Sequence, residues 1–90
     1  MELIRQELVD RLSPYGIVIG RGYSSFMFSP FYGFNFQYRN RQFRIFYNVQ
    51  EETYSLREII PTQTYIASGR IHINNGSIGN ICNFLANIGN

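Results

Sequence analysis

The chain has no lysine, one cysteine, one histidine and three prolines in 90 residues. Each shortage removes a class of structure or chemistry. Cys82 alone excludes an internal disulfide framework and makes a reducing compartment the natural setting. Structural zinc wants about four Cys or His ligands, and Cys82 and His72 are all the chain offers, so no metal and no cofactor are expected. No apolar run approaches the roughly 18 residues that span a bilayer. Glu2 and Arg5 interrupt the first turns, where a signal peptide would place its apolar core. These absences predict a protein of the cytoplasm, its own or a host cell's, without membrane contact.

Groups for catalysis are scarce as well. In "RIHIN" strict alternation sends Ile71 and Ile73 inward and His72 outward. Cys82 falls on an apolar stripe, where a free thiol behaves as a small hydrophobe, so the two make a poor dyad. Glu51 and Glu52 are adjacent, and an extended chain points them to opposite sides. Two glycine patterns also fail. "IVIGRGYSS" begins like a dinucleotide-binding turn, but Ser25 stands where the third glycine belongs and "SFMFS" continues as a strand, not a helix. "GSIG" (76–79) has the spacing of an RNA-clamping loop, yet no basic residue sits between its glycines and a strand leads into it. We therefore expect no catalytic residue and no enzyme.

Acid is the remaining shortage. None occurs between Asp10 and Glu51, while Arg11, Arg21, Arg39, Arg41 and Arg44 fall in that window, so a net charge of only +2 hides a basic middle. With every basic residue an arginine, the charge is carried by planar forks that stack on rings and pair with carboxylates or phosphates.

What the chain has in plenty is rings: eight Phe and seven Tyr, 17% of the residues. A chain of this size buries only about 60–65% of its unfolded surface. The rings compete for that interior with the aliphatic side chains, so some are expected on the surface or between copies of the chain.

Periodicity predicts one domain over 1–90: a small α+β fold, an antiparallel sheet of four to six strands with an N-terminal and a C-terminal helix packed on it. Ile4, Leu8 and Leu12 share one face of a helix over 2–12, with Glu7 and Arg11 paired across a turn, and Pro14 ends it. "GIVIG" (16–20) reads as a short buried strand, and Phe26 and Phe28 as part of a second, closed by Pro30. "GFNFQYRNRQFRIFYN" alternates on both sides of a turn at Arg39 and Asn40. That register sets Tyr38 opposite Arg41, Phe36 opposite Phe43, Phe34 opposite Ile45 and Tyr32 opposite Tyr47. Over 51–61 Tyr54 and Leu56 suit a strand, but Leu56, Ile59 and Ile60 favour a helical turn or irregular connection. "QTYIASGRIHIN" reads as a second hairpin turning at Ser68 and Gly69. Ser77 then caps a closing helix that buries Ile78, Ile81, Cys82, Leu85 and Ile88.

Function follows from the surface this leaves. The outer face of the central hairpin carries Asn35, Gln37, Gln42, Arg44 and Phe46, and Tyr38, Arg39 and Arg41 are candidates to join them. The closing helix carries no charge and shows Asn80, Asn83 and Asn87 beside Phe84, a candidate second interface of low desolvation cost. Arg and Tyr are residues of protein hot spots. The expectation is a non-enzymatic, self-associating protein that binds another protein through its Arg and aromatic face, as an inhibitor or adaptor of a larger assembly, its own or a host's, would. Single-stranded nucleic acid or a nucleotide is the alternative partner, since rings stack on bases and Arg follows phosphates. The pI near 8.9 falls short of strongly basic nucleic-acid binders.

Overall fold

The computed structural model describes residues 1–25, 30–60 and 69–88. In chain order the elements are α1 (Glu2–Leu12), a 3-10 turn (Ser13–Tyr15), β1 (Tyr23–Ser25), β2 (Phe31–Tyr38), β3 (Arg41–Asn48), β4 (Thr53–Ile59), β5 (Gly69–Gly76) and α2 (Ile78–Ile88). The strands form one antiparallel sheet in the order β1-β2-β3-β4-β5. Both helices bury their apolar stripes in the same core, on one face of that sheet. This is the expected α+β architecture. Among the described residues no helix is long and apolar enough to cross a membrane.

The β2–β3 hairpin has the register that alternation predicts, from Tyr38 opposite Arg41 to Tyr32 opposite Tyr47. Arg39 and Asn40 both take left-handed φ, 53° and 62°, as a two-residue type I′ turn requires. On the helix side Phe34, Phe43, Ile45 and Leu56 are fully buried together with Leu8, Leu12, Ile81 and Leu85. Each such side chain contributes about 1.5–3 kcal/mol by leaving water. Phe36 and Phe43 stack at 5.2 Å and carry that packing across the two strands.

Helix α1 runs over the expected residues, but its surface bond joins Gln6 to Asp10 at 2.9 Å, and the ion pairs among the described residues do not include Glu7 with Arg11. After Pro14 the chain reverses at Gly16, φ +78°, a position that favours glycine because other residues crowd there. The strand expected over 16–20 does not form, although the burial alternation behind it is present. Ile17 and Ile19 are buried and Val18 is 84% exposed, as alternation requires. The segment nevertheless joins the sheet only where the Gly20 N–H donates to the Asn35 carbonyl. The Ile19 and Gly20 carbonyls accept from the Arg5 guanidinium at 3.0 and 3.3 Å, so a side chain of α1 replaces a neighbouring strand.

The connection expected over 51–61 is instead strand β4, paired along its length with β3. Glu51 and Glu52 form the turn, where the Asn48 side chain accepts the Glu51 N–H and the Asn48 carbonyl accepts the Glu52 N–H. The strand then sends Tyr54, Leu56 and Glu58 inward. An acid at the third inward position is what breaks the apolar alternation. The strand expected around Phe26 and Phe28, and the first arm of the hairpin expected to turn at Ser68, lie outside the described residues.

Gly69 opens β5, whose register against β4 slips twice, between Tyr54 and Leu56 and between Leu56 and Arg57. Each slip places an extra residue on β5, and a bulge turns a side chain to the other face. This reverses part of the expected pattern: Ile71 is 54% exposed opposite Arg57, while His72 turns inward beside Phe84 and Phe43. Ser77 caps α2 as expected. Its Oγ accepts the Asn80 N–H at 3.2 Å and its N–H donates to Asn80 Oδ1 at 2.8 Å, a reciprocal box with Asn in the place of the usual Glu.

Candidate functional site

The strand pleat sorts side chains into two faces, and the helices cover one of them. The opposite face carries Phe31, Asn35 and Gln37 from β2, Gln42, Arg44 and Phe46 from β3, Ser55, Arg57 and Ile59 from β4, and Ile71 from β5. Tyr23 reaches it from β1, opposite Gly33. A side chain at Gly33 would collide with the Tyr23 ring, so a glycine inside β2 is what lets that ring lie over the sheet.

These groups form a continuous row. The Arg44 guanidinium lies 5.9 Å from the centre of the Tyr23 ring. Tyr23 meets Phe31 edge to face at 6.2 Å and Phe31 meets Phe46 in the same way at 5.3 Å. Arg57 closes the row 5.8 Å from the Phe46 ring centre. Each guanidinium–ring contact at a partly exposed site contributes about 0.5–1 kcal/mol. Arg44 is further held by donating its Nε–H to Asn35 Oδ1 at 2.7 Å. Among the described residues of this face there is no acid, so its two charges are both positive.

Two hollows lie along the row. One, of about 350 Å³, is bordered by Asn35, Gln37, Gln42, Arg44 and Ile59. The other, of about 230 Å³, lies between Phe46, Arg57 and Ile71 with Asn48, Ser55 and Asn75 at its rim. Among the described residues Arg57 Nε is buried without a hydrogen-bond partner. An orphaned buried N–H of this kind costs about 1–3 kcal/mol.

Of the predicted binding residues, the sheet brings Asn35, Gln37, Gln42, Arg44 and Phe46 together. It does not bring Tyr38 and Arg41, which point to the helix side. Arg39 lies at the tip of the hairpin, its guanidinium 5.6 Å from the Tyr38 ring centre. Arg41 donates through Nε to Glu58 Oε2 at 2.7 Å and through Nη2 to Oε1 at 2.6 Å. His72 Nε2 lies 2.8 Å from the same Oε1. The hydrogen bond from Arg41, aided by His72 and opposed by burial, holds the Glu58 carboxyl at about 2, well below its ordinary 4.5. The same bond raises Arg41. The cluster thus ties β3, β4 and β5 together at the core edge and withdraws one arginine from the open face.

The second predicted interface is thinned in the same way. Asn80 spends its amide on the cap of α2, and Phe84 packs against His72 at 4.4 Å and Phe43 at 6.2 Å. Asn83 and Asn87 remain exposed.

Tyr23, Phe31, Arg57 and Ile71 complete the face without having been singled out in the sequence. A signal existed for two of them. Gly33 within a strand marks a close approach, and once Leu56 is inward on a strand Arg57 must be outward beside Arg44. Compared with protein-family models, with curated proteins and with solved structures, the chain matches none.

Proposed function

We propose that the chain is a non-enzymatic binding protein whose open sheet face docks a protein partner bearing acidic and apolar side chains. The observation that carries this reading is the row Arg44, Tyr23, Phe31, Phe46, Arg57, two guanidinium groups bracketing three rings with no acid among them. Rings and arginines at the centre of a patch, with amides around them, are the composition of protein hot spots.

The ring geometry favours protein over single-stranded nucleic acid. Neighbouring rings meet at 83° and 76°, so their planes are turned into one another and under the guanidinium groups, not laid out in parallel for successive bases. With Arg41 committed to Glu58, the face also keeps few charges to follow a phosphate chain. A part as inhibitor or adaptor of a larger assembly fits a small chain whose one histidine is engaged with Glu58. Self-association belongs to the same reading, through the uncharged outer side of α2 around Asn83 and Asn87.

The test is capture of partners from the native cell by the immobilised protein and by a variant carrying Arg44→Glu and Arg57→Glu. The proposal expects a polypeptide that the native protein retains after nuclease treatment and at about 0.5 M salt, where phosphate contacts fade, and that the variant loses. Equal recovery by both proteins, or retention of nuclease-sensitive material alone, refutes it.

A further inference from the structure

We infer that the hollow between Phe46, Arg57 and Ile71 receives a carboxylate side chain of the partner, an Asp or Glu flanked by an apolar residue, with Arg57 as its ionic partner. The inference rests on the reading of the open face as a protein-binding surface and adds the chemistry of its central contact.

Arg57 is held by shape. A side chain at Gly69 would lie 2.9 Å from its Cγ and Cδ, so the stem lies close against a glycine, with the guanidinium 5.8 Å from the Phe46 ring centre. Held there, it has no carboxylate within reach among the described residues, whose ion pairs are both on Glu58. Arg41 shows what such a fork does when it meets an acid in this protein: its Nε and Nη2 grip both carboxylate oxygens. Among the described residues, the Arg57 Nε that opens the same edge is buried and unpartnered. Arg57 lines the hollow, so its fork stands where an entering carboxylate would meet it.

The surroundings choose among anions. A single planar fork matches one carboxylate bidentately, whereas a phosphate chain asks for several cations. The Asn48 and Asn75 amides and the Ser55 hydroxyl stand at the rim. The Ser55 hydroxyl accepts the Asn75 N–H at 3.1 Å, which fixes that rim. Ile71, 54% exposed, offers the apolar wall. At about 230 Å³ the space lies below the roughly 300–1,000 Å³ of small-molecule sites and suits side chains of a larger partner.

Magnetic resonance titration of the labelled protein tests the assignment. The probes are a blocked six-residue peptide of alternating Leu and Glu, the same peptide with Gln for Glu, and a six-nucleotide oligo(dT). The Glu peptide is expected to move the Arg57 Nε–Hε signal and the amides of Ser55 and Ile71, with about tenfold weaker binding by the Gln peptide and by Arg57→Gln. Arg57→Lys, which keeps the charge and loses the fork, falls between them. Thermal unfolding of both variants at the native midpoint separates lost binding from lost fold. Equal binding of the Glu and Gln peptides overturns the carboxylate assignment and leaves the protein-binding face standing. Movement by oligo(dT) alone overturns both, and silence of the Arg57 signal with every probe overturns the inference.

Discussion

Replacing Glu58 by Gln keeps the size and shape of the side chain and removes the charge that Arg41 and His72 share. The carboxyl is held at about 2 in the folded chain against an ordinary 4.5. Each tenfold change in proton affinity is worth about 1.4 kcal/mol, so the upper limit of the stabilisation is about 3 kcal/mol. Arg41 is 38% exposed and solvent screens the pair from that side, so we expect about 1–2 kcal/mol. The sign follows from linkage. An acid whose folded value is depressed stabilises the fold above its unfolded value and loses that contribution as pH falls toward the folded one. The advantage of the native protein over E58Q is therefore full at neutral pH and shrinks between about pH 5 and about pH 2. Urea unfolding of both proteins across that range reads it directly. A gap that stays constant through acid, or no gap at pH 7, refutes the account of the cluster.

Other substitutions test the fold that carries the face. Phe43→Ala empties a fully buried site between Phe36 and Phe84 and is expected to cost about 3–5 kcal/mol in denaturant unfolding; a loss below about 1 kcal/mol would mean that the hairpin faces the other way. Asn40→Gly relieves left-handed strain at φ 62° and is expected to stabilise by up to about 1 kcal/mol, an effect that a destabilised variant would contradict. Ser77→Ala removes the cap of α2 and is expected to cost about 1 kcal/mol; an unchanged thermal midpoint would deny the capping box.

The readable parts of this sequence are those where one physical signal acts alone. Tyr32 to Tyr47 alternate, with Phe46 the one ring turned outward, around an Asn that accepts left-handed geometry, so register and faces follow together. The two amphipathic helices are legible for the same reason, and Gly16 and Pro14 mark where the first must end. Legibility fails where tertiary contacts override the pattern. Glu58 stands at an inward position of β4, and only Arg41 and His72, distant in sequence, make that tolerable. Without knowledge of them, Leu56, Ile59 and Ile60 look helical. On β5 a bulge exchanges the expected sides of Ile71 and His72, and no local signal in "RIHIN" announces it. The candidate face inherits both failures. Its half on β2 and β3 is visible in the hairpin, whereas Arg57 and Ile71 emerge only once β4 and β5 are placed. Arg41 is a candidate for the face by its charge, yet its register places it on the inward side of β3, where the Glu58 carboxylate holds it.

The claim on which the functional account rests is that the helix-free face of the sheet meets a polypeptide. Site-specific photocrosslinking in the native cell tests it most directly, with benzoylphenylalanine placed at Phe46 and, in a separate protein, at Gln6 on the solvent side of α1. The account predicts discrete polypeptide adducts from the Phe46 position and none from Gln6. Adducts at Gln6 alone, or nucleic-acid adducts at Phe46, would contradict it.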